Sequence, residues 1–67
     1  VEKIIYKNIE AERVRHSLTK EKLAEDLDVT TKTYLNWIRG TTEIPASTLK
    51  QMKEMWNVSA DYLLESY

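Results

Sequence analysis

TKEKLAEDLDVTTKTYLNWIRG, residues 19–40, decides how this chain folds. Leu23, Ala24 and Leu27 fall on one face of a first short helix, and Tyr34, Trp37 and Ile38 on one face of a second, at i, i+3, i+4 spacing. Thr19 is a good N-cap for a helix over Lys20–Leu27, because its hydroxyl can accept from a free amide of the first turn. Thr30 does the same for a helix over Thr31–Arg39, which Gly40 ends. Between them the chain must turn sharply at Asp28, where glycine is usual; aspartate tolerates the left-handed region better than most side chains. Val29 plugs the angle between the two helices, and Leu18 is placed to pack on Leu23 as a hydrophobic staple.

Working outward, residues 2–16 read as a first helix. Ile5, Ile9 and Val14, widened by Ile4, form its apolar stripe, and Glu2, Lys3, Lys7, Glu10, Glu12 and Arg15 take the remaining positions. Arg15 and His16 suit the negative end of that helix, and His16 reads as a surface residue there. On the other side, Pro45 forbids a helix through TTEIPAS. A fourth helix starts at Pro45 or Ser47 and runs to Trp56, burying Leu49, Met52 and either Met55 or Trp56. Asn57 reads as its left-handed end. Ser59 caps a fifth helix whose apolar side is Tyr62, Leu63 and Tyr67. The expected fold is all-α, a compact bundle of five short helices in one domain over residues 1–67.

Composition narrows the chemistry. Sixty-seven residues hold one modest core. One glycine, one proline and no phenylalanine in a chain rich in Leu, Ile, Lys and Glu favour helices. With no cysteine and one histidine, neither a disulfide framework nor a zinc site is expected, and no metal or other cofactor is assigned. No nucleophile–base pair and no phosphate-cradling glycine loop is present, so no catalytic residue is assigned and an enzyme is not expected. No small-molecule ligand is evident. The opening VEKIIYKNIE lacks the pattern of a signal peptide and no apolar run is long enough to span a membrane, so a cytoplasmic protein is expected. The chain opens on Val rather than Met, which is compatible with a piece of a longer regulator.

Net charge is −1, low for a nucleic-acid binder. Its distribution says more: Arg13–Arg39 carries six bases and four acids, whereas Gly40 onward carries two bases and four acids. At about 100° per residue, Lys32, Leu35, Asn36 and Arg39 share the face of the second motif helix opposite Tyr34 and Trp37. Lysine can donate to guanine O6 and N7, asparagine can pair bidentately with adenine, and Leu35 could meet thymine methyl groups or a protein partner. The start of each motif helix presents amides that favour phosphate.

Taken together, these pieces resemble the lambda-repressor-like, or XRE-type, helix-turn-helix domain of phage and bacterial transcription regulators. The residues that carry the resemblance are Ile9 to Arg13, Leu18-Thr19 with Leu23-Ala24, Trp37 to Gly40, Pro45, and Val58-Ser59 with Leu63-Leu64. The resemblance implies that Thr19 and Lys20 hold a DNA phosphate, that Thr30 touches the backbone, and that Thr41 and Thr42 add phosphate contacts. Thr31, Lys32 and Asn36 match the positions that read base edges; Leu35 and Arg39 join them from the face just described, Arg39 toward phosphate. The implied partner is a double-stranded DNA operator bound by a homodimer, with Tyr62, Leu63, Leu64 and Tyr67 as the dimer surface wherever they are not core. A protein-interaction module on the same fold, antitoxin-like or partner-binding, is the alternative. Net charge, Leu35 and Glu43 favour it. The chain departs from the family at Ile38, often a Glu that pairs with the arginine matching Arg13; that leaves Arg13 solvated, on phosphate, or paired with an acid such as Glu10. Tyr34 also stands where an aliphatic residue is usual.

Overall fold

The computed structural model describes residues 4–65. Five α-helices follow one another: α1 (Lys7–Arg15), α2 (Lys20–Asp26), α3 (Thr31–Ile38), α4 (Ala46–Trp56) and α5 (Ala60–Leu64). Thr19, Thr30 and Ser59 cap α2, α3 and α5 as expected, each side-chain oxygen accepting from the amide three residues on. Apolar faces of all five helices meet in one core of Ile9, Leu23, Ala24, Leu27, Tyr34, Trp37, Ile38, Met52, Trp56 and Leu63. α3 packs against α2 and α1, while α5 packs against α1 and α4.

Four helices end in the same way. Ser17, Asp28, Gly40 and Asn57 have φ of +57°, +61°, +76° and +53°. The amides at and after these residues turn back onto the last carbonyls: Leu18 N to Arg13 O at 3.1 Å, Val29 N to Ala24 O at 2.9 Å, Thr41 N to Asn36 O at 2.9 Å and Val58 N to Lys53 O at 3.2 Å. This pattern satisfies carbonyls that a helix end otherwise leaves open. Asp28 and Asn57 were legible as left-handed; Ser17 was not. A serine there bears about 1–2 kcal/mol of left-handed strain that glycine avoids, against about 0.5–1 kcal/mol of added unfolded-chain entropy. Ser17 is exposed, so Ser17→Gly loses no packing. It is expected to raise stability by about 0.5–1 kcal/mol in urea denaturation; a decrease would mean that the serine hydroxyl makes a stabilising contact.

The first helix differs from its expected form. It starts at Lys7, five residues late, because the amides of Ile5 and Tyr6 donate instead to the Ile38 carbonyl, at 2.8 and 3.2 Å. The segment Ile4–Tyr6 thus runs as a strap across the end of α3. Glu2 and Lys3 lie outside the described residues. Val14 is not on the buried stripe: it is 62 % exposed. Five residues separate it from Ile9, about 140° around the helix, so the two cannot share a face. Glu12, three residues from Ile9, takes the inward position and is only 2 % exposed.

A buried carboxylate needs partners. Tyr62 Oη donates to Glu12 Oε2 at 2.9 Å, and Arg15 Nη1 lies 3.4 Å from the same oxygen. His16 is exposed as expected, but its ring stacks on Trp56 with centroids 5.8 Å apart. At α4, Trp56 rather than Met55 is buried. In α5, Leu63 is fully buried and so belongs to the core, Tyr62 is half-buried, and Leu64 is exposed. Tyr67 lies outside the described residues.

Candidate nucleic-acid interface

α2 and α3 are joined by Leu27–Thr30, and the turn is closed by Asp28 N to Glu25 O at 3.0 Å. Gln51 of α4 adds a bond from outside the motif, Nε2 to Asp26 O at 3.1 Å. Tyr34, Trp37 and Ile38 bury one side of α3. The helical repeat then turns Lys32 and Asn36, each two residues from Tyr34, to nearly the opposite side. Lys32 is exposed and Asn36 half-exposed. Both side chains therefore have room to approach a partner without disturbing the core.

The cap residues are held in place. Thr19 Oγ1 accepts from Lys22 N at 3.0 Å, and Thr30 Oγ1 from Thr33 N at 3.1 Å. Thr30 Oγ1 also lies 2.9 Å from Thr33 Oγ1. Thr33 was not singled out in the sequence, although a hydroxyl three residues after an N-cap threonine is a local signal of the same kind as a capping box. With one amide bound by each cap, the first amides of α3, at Thr31 and Lys32, stay outside the helical ladder and face outward at its positive end.

The other expected site residues fall less evenly. Thr41 and Thr42 are exposed, but their amides turn to Asn36 O, at 2.9 and 3.4 Å. Only their hydroxyls are left to meet a phosphate. Arg39 caps the C-terminus of α3 and is half-buried. Leu35 is not fully exposed: it is half-buried and packs against the core. Thr31 borders a shallow depression also lined by Glu21, Glu25 and Asp28. These three carboxylates make that side of the α3 N-terminus unfavourable for an anion, and Lys32 makes the other side favourable.

Arg13 is paired with Glu10, one of the outcomes left open in the sequence. Arg13 Nε donates to Glu10 Oε2 and Nη2 to Oε1, both at 3.0 Å, and Nη1 donates to the Leu18 carbonyl at 2.6 Å. Tyr34 Oη donates to the same Glu10 Oε2. With Ile38 buried and apolar, α1 and α3 are linked through the hydroxyl one turn earlier. Burial pushes the Glu10 carboxyl up, but the hydrogen bonds from Arg13 and Tyr34 outweigh it and hold the group below its ordinary range. Lys20, on α2, adds to that lowering through space, which places a candidate phosphate-binding charge within the field of Glu10. Burial, and then the bond to Glu10, raise Tyr34, so its hydroxyl stays a protonated donor at neutral pH.

The helix-turn-helix family model matches residues 9–63, from the core isoleucine of α1 to the buried leucine of α5. No curated protein and no solved structure matches the chain.

Proposed function

We propose, since this chain belongs to the helix-turn-helix family of DNA-binding domains, that it is the sequence-reading domain of a phage or bacterial transcriptional regulator, acting as a repressor in the cytoplasm. The supporting observation is α3 itself. One side is buried through Tyr34, Trp37 and Ile38, while Lys32 and Asn36 stand on the other with the helix N-terminus uncovered. In this reading α3 lies in the major groove, and Thr31, Lys32 and Asn36 meet base edges with Leu35 beside them. Thr19, Lys20, Thr30, Arg39, Thr41 and Thr42 hold the phosphates that set its register. A single module of this size buries a small interface, so two copies on adjacent half-sites give useful specificity. Leu64 is the exposed apolar side chain of α5 left for that contact.

The alternative, a protein-interaction module on the same fold, is favoured by the net charge of −1 and by the carboxylates beside Thr31. Leu35 is half-buried against the core, so only part of its side chain is open to either kind of partner.

Salt separates the two readings. Duplexes selected from a random pool are expected to lose affinity linearly in log–log salt plots, and Lys20→Ala should lower that slope by about 1. Lys32→Ala or Asn36→Ala should cost about 1–3 kcal/mol and relax discrimination at one base position. Binding that ignores salt and all three substitutions would overturn the DNA reading in favour of the protein partner.

A further inference from the structure

We propose that the Tyr34 hydroxyl is a positioning group for base readout, fixing the rotation of α3 about its own axis relative to the entry of α2. The inference rests on the DNA reading above and extends it to a residue that would touch no base.

Its basis is a continuous path of directional bonds. Tyr34 Oη on α3 donates to Glu10 Oε2; Glu10 is held by two nitrogens of Arg13; and the third nitrogen of Arg13 holds the Leu18 carbonyl. Leu18 immediately precedes Thr19, the N-cap of α2. The path therefore ties the helix carrying Lys32 and Asn36 to the start of the helix carrying Lys20. Apolar packing alone does not set this relation tightly, because burial is non-directional and tolerates small rotations. A hydrogen bond inside a sheltered network does set it. Tyr34 is 1 % exposed, and the side chains of Arg13 and Glu10 are 15 % and 19 % exposed.

The geometry makes the lever direct. Lys32 and Asn36 lie two residues either side of Tyr34, so any roll of α3 that moves the hydroxyl sweeps both reading side chains the opposite way. Removing only the hydroxyl leaves the ring in place, and Glu10 Oε2 keeps its bond from Arg13 Nε at 3.0 Å. Orientation should thus suffer more than stability.

The experiment compares wild type, Tyr34→Phe, Glu10→Gln and Ser59→Ala on a duplex selected from random DNA and on a scrambled duplex, at several salt concentrations. Ser59→Ala removes the α5 cap, which takes no part in the bonds from Tyr34 to Leu18, and serves as a stability control. Tyr34→Phe is expected to lower the selected-to-scrambled affinity ratio about tenfold, the scale of one good base contact. Its affinity for scrambled DNA and its salt slope should stay unchanged. Glu10→Gln keeps an acceptor for the hydroxyl and loses charge, so its ratio should fall between those of wild type and Tyr34→Phe. Ser59→Ala should keep the wild-type ratio despite a lower Tm. A Tyr34→Phe ratio equal to wild type overturns the inference, as does an equal loss in Ser59→Ala, which would make the effect one of stability. Absence of any preference in the wild type overturns the base-readout proposal itself, and the positioning role with it.

Discussion

Leu23→Ala is expected to lower the stability of this domain by about 2–5 kcal/mol, because the substitution removes buried methyl groups and leaves a cavity that helices cannot fully close. Leu23 is 0 % exposed, in the middle of α2, and faces the core that Leu27, Tyr34 and Ile38 share with it. Domains have about 0.05–0.15 kcal/mol of stability per residue, so a chain of this length has only a few kcal/mol to lose. With about 4–8 °C per kcal/mol for a domain of this size, Tm should drop by roughly 8 °C or more in thermal denaturation followed by circular dichroism. Leu64→Ala is the matched control. Leu64 is 39 % exposed, and its truncation should stay within about 0.5–1 kcal/mol. A drop of less than about 5 °C for Leu23→Ala would mean that α2 is not seated on this core.

Gly40→Val should be nearly as damaging, by a different route. Gly40 sits at φ +76°, where a side chain costs about 1–2 kcal/mol and a β-branched one more. A Cβ there would also stand 2.5 Å from Ile5 Cδ1, in the strap that crosses the end of α3. Together these set an expected loss of about 3 kcal/mol. The two contributions separate experimentally. In an Ile5→Ala background the steric share disappears, so Gly40→Ala should cost less there than in wild type, while the backbone share persists. Equal costs in the two backgrounds would show that the strap yields freely to the new atom.

Helix ends were the most legible part of the sequence, because cap chemistry is local. Thr19, Thr30 and Ser59 show their role within three residues, and Asp28, Gly40 and Asn57 are residue types that accept positive φ. The first helix was harder. Whether Ile5 continues it or leaves it depends on the Ile38 carbonyl, far along the chain, and whether Glu12 is solvated or buried depends on Tyr62. Neither partner lies within reach of a periodicity argument. One compositional signal was available: four tyrosines and no phenylalanine. Two of those hydroxyls end on carboxylates of α1, Tyr34 on Glu10 and Tyr62 on Glu12. At the candidate interface the helical repeat placed Lys32 and Asn36 on the side away from Tyr34. Leu35 borders both sides of α3, and only tertiary packing, which periodicity does not contain, half-buries it.

The four left-handed closures bear on how fast the molecule assembles. Ser17, Asp28, Gly40 and Asn57 each stop a helix through bonds to carbonyls three to five residues back. Where the chain reverses is thereby set before any distant segment arrives. Contacts close in sequence cost little loop entropy to form, and helical domains dominated by them fold on the order of microseconds to milliseconds. Assembly then waits on long-range pairings such as Ile5 with Ile38, which ties the strap to the end of α3, and Glu12 with Tyr62, which ties α1 to α5.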